Sequence, residues 1–260
     1  MFQGAERATL RSVADPDEPP SGIEFYDRPE VFTAYAALRE RAGNANDALE
    51  APIVEELVGD VRGLRVLDLG CGDARYGRAM LERGASRYVG IEGSARMAEA
   101  ARTTLYETNG EVIELDLGNQ DFGTGEFDLV VSRLALHYVP DLAAVLAAAS
   151  RSLGPGGRLV YSVEHPVITS CSRGRTGPKH LDWVVDDYFE TGAREIAWLG
   201  ATVRLYHRTV EDHVGALQGA GFSLQQLRES RPRREHIPEP TEYQRRSRIP
   251  LFLILAGRKG

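Results

Sequence analysis

A chain of 260 residues is long enough for one large α/β domain with a substantial core. Its formal net charge of −7 disfavours binding to nucleic acid or to an anionic membrane surface, both of which attract excess positive charge, and so favours a small-molecule or protein partner. Cys71 and Cys171 lie too far apart to suggest a disulfide framework or a zinc ligand set. With no apolar run of transmembrane length and no signal-like start, the expected setting is the cytoplasm.

The first 22 residues carry "DPDEPPSG" and little apolar periodicity, which reads as a flexible tail. From residue 23 onwards a single domain is expected. Residues 23–41 place Phe32, Tyr35, Ala36 and Leu38 at helical spacing, and 48–58 reads as a second helix with Ile53, Val54 and Leu57 inward. Together they form an N-terminal helical cap over 23–60. Short apolar or β-branched runs follow at 65–69, 88–91, 111–115, 127–131 and 158–163, each bounded by Gly, Asp or Pro. Ala-rich helical stretches alternate with them at 75–83, 95–105 and 142–152. Such alternation calls for a mostly parallel sheet with helices on both faces, whose ligands bind outside the C-terminal strand ends.

The fifth of these runs, "LVYSVEHP", stops where Pro166 removes a backbone donor, leaving Glu164 and His165 at a strand end. On a regular strand their side chains take opposite faces, so one of them faces the pocket. The pattern then lapses over 166–206 before a helix at 209–218 and strands at 222–227 and 250–256. Loops this long invite a functional explanation. Segment 166–206 holds Trp183, Trp198, Tyr188, Phe189, Tyr206 and His207, an aromatic content suited to a lid over a planar apolar acceptor or to an oligomer contact. His180 and Asp182 have no third ligand at useful spacing, so no metal is expected. The arginine-rich stretch 229–248 is interleaved with glutamates and reads as a salt-bridged loop or a subunit contact.

Chemistry gathers at the strand ends. The turn "LGCGDARYG" after the first strand lets a ligand approach the main chain, and Glu92, about twenty residues on, can accept both hydroxyls of a ribose. Turn and acid together indicate a nucleoside cofactor. A nicotinamide dinucleotide would want a third glycine where Asp73-Ala74-Arg75 stands. Asp116, in "IELDL", can accept from an adenine amino group or cap a turn. His137 and Tyr138 open the turn after the fourth strand, where His137 can face the acceptor or merely bind backbone.

Taken in order, "VLDLGCGDARYG", "YVGIEGSARMAEAAR", "IELDL", "FDLVVSRLALHYVPDLAAVLAAASRSLGPGGRLVYSVEHP" and "PLFLILAGRKG" resemble the motifs of class I S-adenosylmethionine-dependent methyltransferases. That resemblance implies a Rossmann-like sheet of seven strands in the order 3-2-1-4-5-7-6 with the last strand antiparallel. It implies S-adenosylmethionine as cofactor and S-adenosylhomocysteine as product. Gly70 and Gly72 would then lie against the homocysteine and ribose, and Asp68 near the amino group. Glu92 would take the ribose hydroxyls, Gly93 and Ser94 would line the adenosine, and Asp116 and Leu117 would hold the adenine edge. Ser132 and Arg133 would pass under the methionine arm. Tyr26, Tyr35 and Arg39 resemble residues that the family's N-terminal helices fold over the cofactor carboxylate.

On the acceptor side the catalytic candidates are Glu164, His165, His137 and Tyr26. His137, Tyr138, Trp183, Tyr188, Phe189, Tyr206 and His207 are the expected acceptor contacts. The implied activity is methyl transfer to O, N or C of a small aromatic or heteroaromatic acceptor, as in secondary metabolism. A cofactor-binding protein of the same fold that catalyses a cyclisation, or senses the cofactor, is the alternative. The N-terminal or lid segments could also carry homo-oligomer contacts.

Overall fold

The computed structural model describes residues 19–41, 43–119, 121–171 and 183–260. In chain order the N-terminal part contains α1 (Gly22–Tyr26), α2 (Pro29–Arg39), a π turn (Asn46–Glu50) and α3 (Ala51–Val58). The alternating part follows, with β1 (Arg65–Leu69), α4 (Arg75–Glu82), β2 (Arg87–Glu92), α5 (Ala95–Thr104), β3 (Gly110–Glu114), β4 (Phe127–Arg133), α6 (Leu142–Ser152) and β5 (Leu153–Glu164). Beyond it lie α7 (Pro166–Thr169), β6 (Gly192–Trp198), β7 (Ala201–His207), α8 (Val210–Gly219), β8 (Phe222–Glu229), α9 (Pro240–Arg246) and β9 (Phe252–Lys259).

Seven strands form one sheet in the order β3-β2-β1-β4-β5-β9-β8. The first five are parallel, and β9 runs antiparallel to both of its neighbours. With the β6–β7 hairpin set aside, this is the expected order. Strand alternation divides the core between the two faces: Leu67, Leu69 and Tyr161 pack on one with α6 and α8, while Val66, Tyr88 and Leu129 pack on the other with α3, α4 and α5. Among the described residues no helix is long and apolar enough to cross a membrane.

Three expectations differ in detail, each for a local reason. The helix expected over 23–41 is split, because Pro29 opens α2 and holds Arg28 extended at φ −71° and ψ 127°. The helix expected at 48–58 begins as a π turn just before Pro52, which lacks the N–H that would bond back to Ala48. Residues 20–22, expected within the tail, pack as part of the fold: Ser21 caps α1, and the Arg204 N–H donates to the Pro20 carbonyl at 3.0 Å. The arginine-rich 229–248 stretch contains α9, and Arg228 and Arg233 pair with Glu56 of α3.

The unforeseen element is the hairpin. Its two-residue turn, Leu199-Gly200, needs positive φ at both residues, +49° and +83°. The hairpin covers α1 and the turn at Leu136–Tyr138, burying Phe25, Val31 and Val203 with Tyr26, Tyr138 and Trp198 packed around them.

Candidate active site

At the C-terminal ends of β1, β2, β4 and β5, roofed by α1, α2 and the hairpin, lies a cavity of about 660 Å³. Its floor begins at the glycine turn. Gly70 and Gly72 have φ of +76° and +58°, angles favoured by glycine. A Cβ on Gly70 would stand 2.3 Å from the Ala135 Cβ, whereas one on Gly72 would meet nothing within 4 Å. The Gly72 main chain therefore offers a ligand an open approach.

Glu92, at the end of β2, accepts from the Gly72 and Ser94 N–H groups, both at 2.9 Å. Burial pushes its carboxyl up to about 7, against the pull of those amides. Asp68 is 2 % exposed; Oδ2 accepts from the Tyr88 hydroxyl at 2.8 Å, while Oδ1 has no partner although it is buried. Burial raises this carboxyl to about 6. A buried, unpartnered carboxylate oxygen in a cavity wall is a site for a cationic donor. Gly93, Asp116 and Leu117 continue the wall on the β2 and β3 side, with the Asp116 carboxylate turned back onto the Gly118 N–H at 2.8 Å.

Of the other residues expected at the cofactor, Tyr26, Tyr35, Arg39 and Arg133 line the cavity. Arg39 is held by Asp47 at 2.9 Å and by Asn44 at 3.1 Å. Ser94 and Ser132 stand behind the wall. The Ser94 hydroxyl caps α5 and donates to Asp27 at 2.7 Å, tying the end of α1 to the loop after β2; the Ser132 hydroxyl donates to the Leu69 carbonyl at 2.6 Å.

Arg133 leads to a group that sequence reasoning missed. Glu50, fully buried at the end of the π turn, pairs with Arg133 and accepts from the Ser162 hydroxyl at 2.6 Å. Burial works against the Arg133 charge, but the Glu50 carboxylate outweighs it and raises the guanidinium pKa. Tyr76 lies under the same guanidinium, 4.5 Å from its ring centroid. Nothing in the spacing of "NDALEAP" marks Glu50 as inward-facing, because the π turn shifts its phase.

The opposite end is aromatic. Tyr26 packs edge-on against Tyr35 and Tyr138, at centroid distances of 5.3 and 6.0 Å, and the Tyr26 and Tyr138 hydroxyls meet at 3.4 Å. Burial raises both hydroxyls above the usual phenol range. Trp198 and Tyr206, from the hairpin, complete the wall. Glu164 and His137 both line it, and His137 Nδ1 accepts from the Glu164 backbone N–H at 3.4 Å. Burial pushes the imidazole down to about 3, so it is neutral at physiological pH.

Several expectations require correction. His165 turns away from the cavity: it is 3 % exposed, Nδ1 accepts from the Val167 N–H to cap α7, and Nε2 meets Glu229 at 3.0 Å. Pro166 explains this, since His165, held extended before it, becomes the cap of the next turn. Trp183 donates to the Val167 carbonyl, and Tyr188 packs on His207 outside the cavity. His207 is fully buried between Thr169 and the Tyr188 carbonyl. Phe189 is 85 % exposed. These four therefore brace or flank the hairpin without lining the cavity. His180 and Asp182 lie outside the described residues.

A glycine turn followed by an acid, at the strand ends of this sheet, marks a protein of the Rossmann-like nucleoside-cofactor class. The family profile described as a methyltransferase domain matches residues 66–157. An S-adenosylmethionine dependent methyltransferase from Mesorhizobium loti superposes with a TM-score of 0.75 at 32% identity, over 85% of this chain and 100% of that one. A Haemophilus influenzae protein described as uncharacterised is 28% identical over 91% of this chain and 97% of its own length. A ubiquinone biosynthesis O-methyltransferase from Thiobacillus denitrificans is 38% identical, but over only 38% of this chain and 44% of its own length. The chain belongs to the class I S-adenosylmethionine-dependent methyltransferases.

Proposed function

We propose that this methyltransferase acts on O, N or C of a small aromatic or heteroaromatic acceptor of the kind found in secondary metabolism. We read residues 20–260 as one cytoplasmic domain with its cap and lid. The observation that carries the reading is the juxtaposition of an aromatic wall, formed by Tyr26, Tyr35, Tyr138, Trp198 and Tyr206, with Glu164 and His137 at the strand ends. Rigid aromatic faces bind planar molecules at small entropic cost. The short match to a ubiquinone biosynthesis O-methyltransferase supports oxygen as the atom that takes the methyl.

S-adenosylmethionine, when bound, supplies an already activated methyl group on a sulfonium. The unpartnered Asp68 oxygen and the open face of Gly72 fit its amino acid arm, and Glu92 fits its ribose hydroxyls. Asp116 and Leu117 would border the adenine, while Arg39 would stand near the carboxylate. Tyr26 and Tyr35 close the roof and exclude water, leaving acceleration to positioning and desolvation. Glu164 is the group suited to receive a proton from a phenol, alcohol or ring N–H.

The test is release of S-adenosylhomocysteine with a panel of phenols, catechols and heteroaromatic acceptors. Glu164→Gln is expected to lower kcat about 100-fold or more while leaving cofactor affinity within about twofold. Equal loss of both would remove Glu164 from the acceptor side. Cofactor binding without S-adenosylhomocysteine release from any acceptor would favour the non-methylating alternative.

A further inference from the structure

We propose that His137 acts as a fixed hydrogen-bond donor and not as a base: the Glu164 backbone N–H occupies Nδ1, and the Nε2–H is presented to an oxygen of the acceptor beside the atom that takes the methyl. This rests on the methyl-transfer reading and narrows its substrate class to aromatics carrying a hydrogen-bond-accepting oxygen, such as a carbonyl or a second phenolic oxygen.

A neutral imidazole has one donor and one acceptor nitrogen, and the partner of one nitrogen decides which is which. A backbone N–H can only donate. The 3.4 Å contact from Glu164 N to Nδ1 therefore assigns the lone pair to Nδ1 and the proton to Nε2. Among the described residues no protein group pairs with Nε2, while the ring forms part of the cavity wall. An N–H on the wall of a ligand cavity with no protein partner is free to donate to an acceptor atom of the ligand.

The surroundings oppose a second proton on the ring. Burial is the main cause; the Arg208 guanidinium adds positive charge nearby, and a proton on His137 would also oppose one on the neighbouring His213, itself held neutral by burial. Arg208 is fixed, donating to the Val139 carbonyl at 2.6 Å and the Pro140 carbonyl at 2.8 Å, directly after the turn that carries His137. Tyr138, whose ring centroid lies 4.4 Å from that of His137, limits rotation of the imidazole. Glu164 thus has two parts in the site: its N–H sets the imidazole tautomer, and its side chain lines the same wall.

The deciding measurement is long-range ¹H–¹⁵N spectroscopy of the ¹⁵N-histidine-labelled full chain with S-adenosylhomocysteine bound, His137 being assigned by its loss in His137→Gln. The expected result is a neutral Nε2–H tautomer that persists from pH 8 to pH 5. An Nδ1–H tautomer, or an imidazolium forming between pH 6 and 7, would overturn the proposal. In turnover, His137→Ala is expected to reduce kcat/KM by about 10- to 100-fold for oxygen-bearing acceptors with the shape of the pH profile unchanged. His137→Gln, which keeps a side-chain N–H, should recover part of that loss. Disappearance of a pH-profile limb in His137→Ala would mark the residue as a base and contradict the proposal. Should no acceptor be methylated, the methyl-transfer reading fails, and the tautomer is still decided by the spectrum.

Discussion

Glu92 is held between two opposing effects. Its backbone N–H partners favour the carboxylate, but burial outweighs them and raises the group to about 7. Ribose hydroxyls donate only to the ionised form with full strength, so binding draws the proton off. Cofactor affinity is therefore expected to tighten as pH rises from 6 to 8, with proton release detectable by calorimetry in buffers of different ionisation heat. A pH-independent affinity would remove Glu92 from the ribose site. Glu92→Ala should weaken binding about 100-fold, in keeping with the loss of two hydrogen bonds to a charged acceptor. At this scale the sequence was informative for the cavity wall built from the ends of β1 and β2, because a glycine turn and an acid at a strand end need only local geometry. It was less so at the acceptor side: which of Glu164 and His165 faces the cavity depends on His165 capping α7, a consequence of Pro166 that alternation alone does not resolve.

Elements lock the site through one buried ion pair. Glu50 comes from the π turn, Arg133 from the end of β4 and Ser162 from β5, so their contact fixes the N-terminal cap to the sheet. Glu50→Ala leaves the largely buried Arg133 unpaired and should cost about 3 kcal/mol or more, read as a lowered denaturation midpoint. Glu50→Gln combined with Arg133→Met should cost less than the two single changes added together; strict additivity would show that the pair is not coupled. The two glycines of the turn give a contrast. Gly70→Ala forces a methyl into Ala135 and should destabilise the fold, whereas Gly72→Ala should cost only about 1 kcal/mol of backbone strain while obstructing the cofactor. Thermal unfolding with and without S-adenosylhomocysteine separates the two outcomes. The alternating elements were legible because their hydrophobic periods are clean and their turns carry Gly or Asp. The β6–β7 hairpin was not, because Leu199-Gly200 lacks the usual Asn-Gly signature, and Arg194 stands on the same strand face as Ile196 and Trp198.

Across the whole molecule the cap and the hairpin close over one end of the sheet, and their contacts to it are polar as well as apolar. Asp27 accepts from the Ser94 hydroxyl and the Arg96 N–H, while Val203 packs with Phe25 beneath the same roof. Four of the buried titrating groups among the described residues shape the response of the protein to acid most clearly. His137 and His213, held neutral with pKa values of about 3, contribute stability above their unfolded value near 6.5 that is lost as pH falls towards 3. Asp68 and Glu92, raised to about 6 and about 7, act oppositely: their contribution is present below about 4 and disappears as pH rises through those values. Cofactor that binds the two ionised carboxylates should therefore raise Tm more at pH 8 than at pH 5.5. An equal rise at both would show that neither carboxylate is engaged.

The most direct test is a crystal structure of the full chain with S-adenosylhomocysteine. The expected result is a nucleoside whose ribose hydroxyls rest on Glu92, whose amino group meets Asp68, and whose sulfur faces Glu164 and His137 across the aromatic wall. A cofactor seated with its sulfur turned away from Glu164 and His137, or with Glu92 unengaged, would contradict this assignment of the cavity.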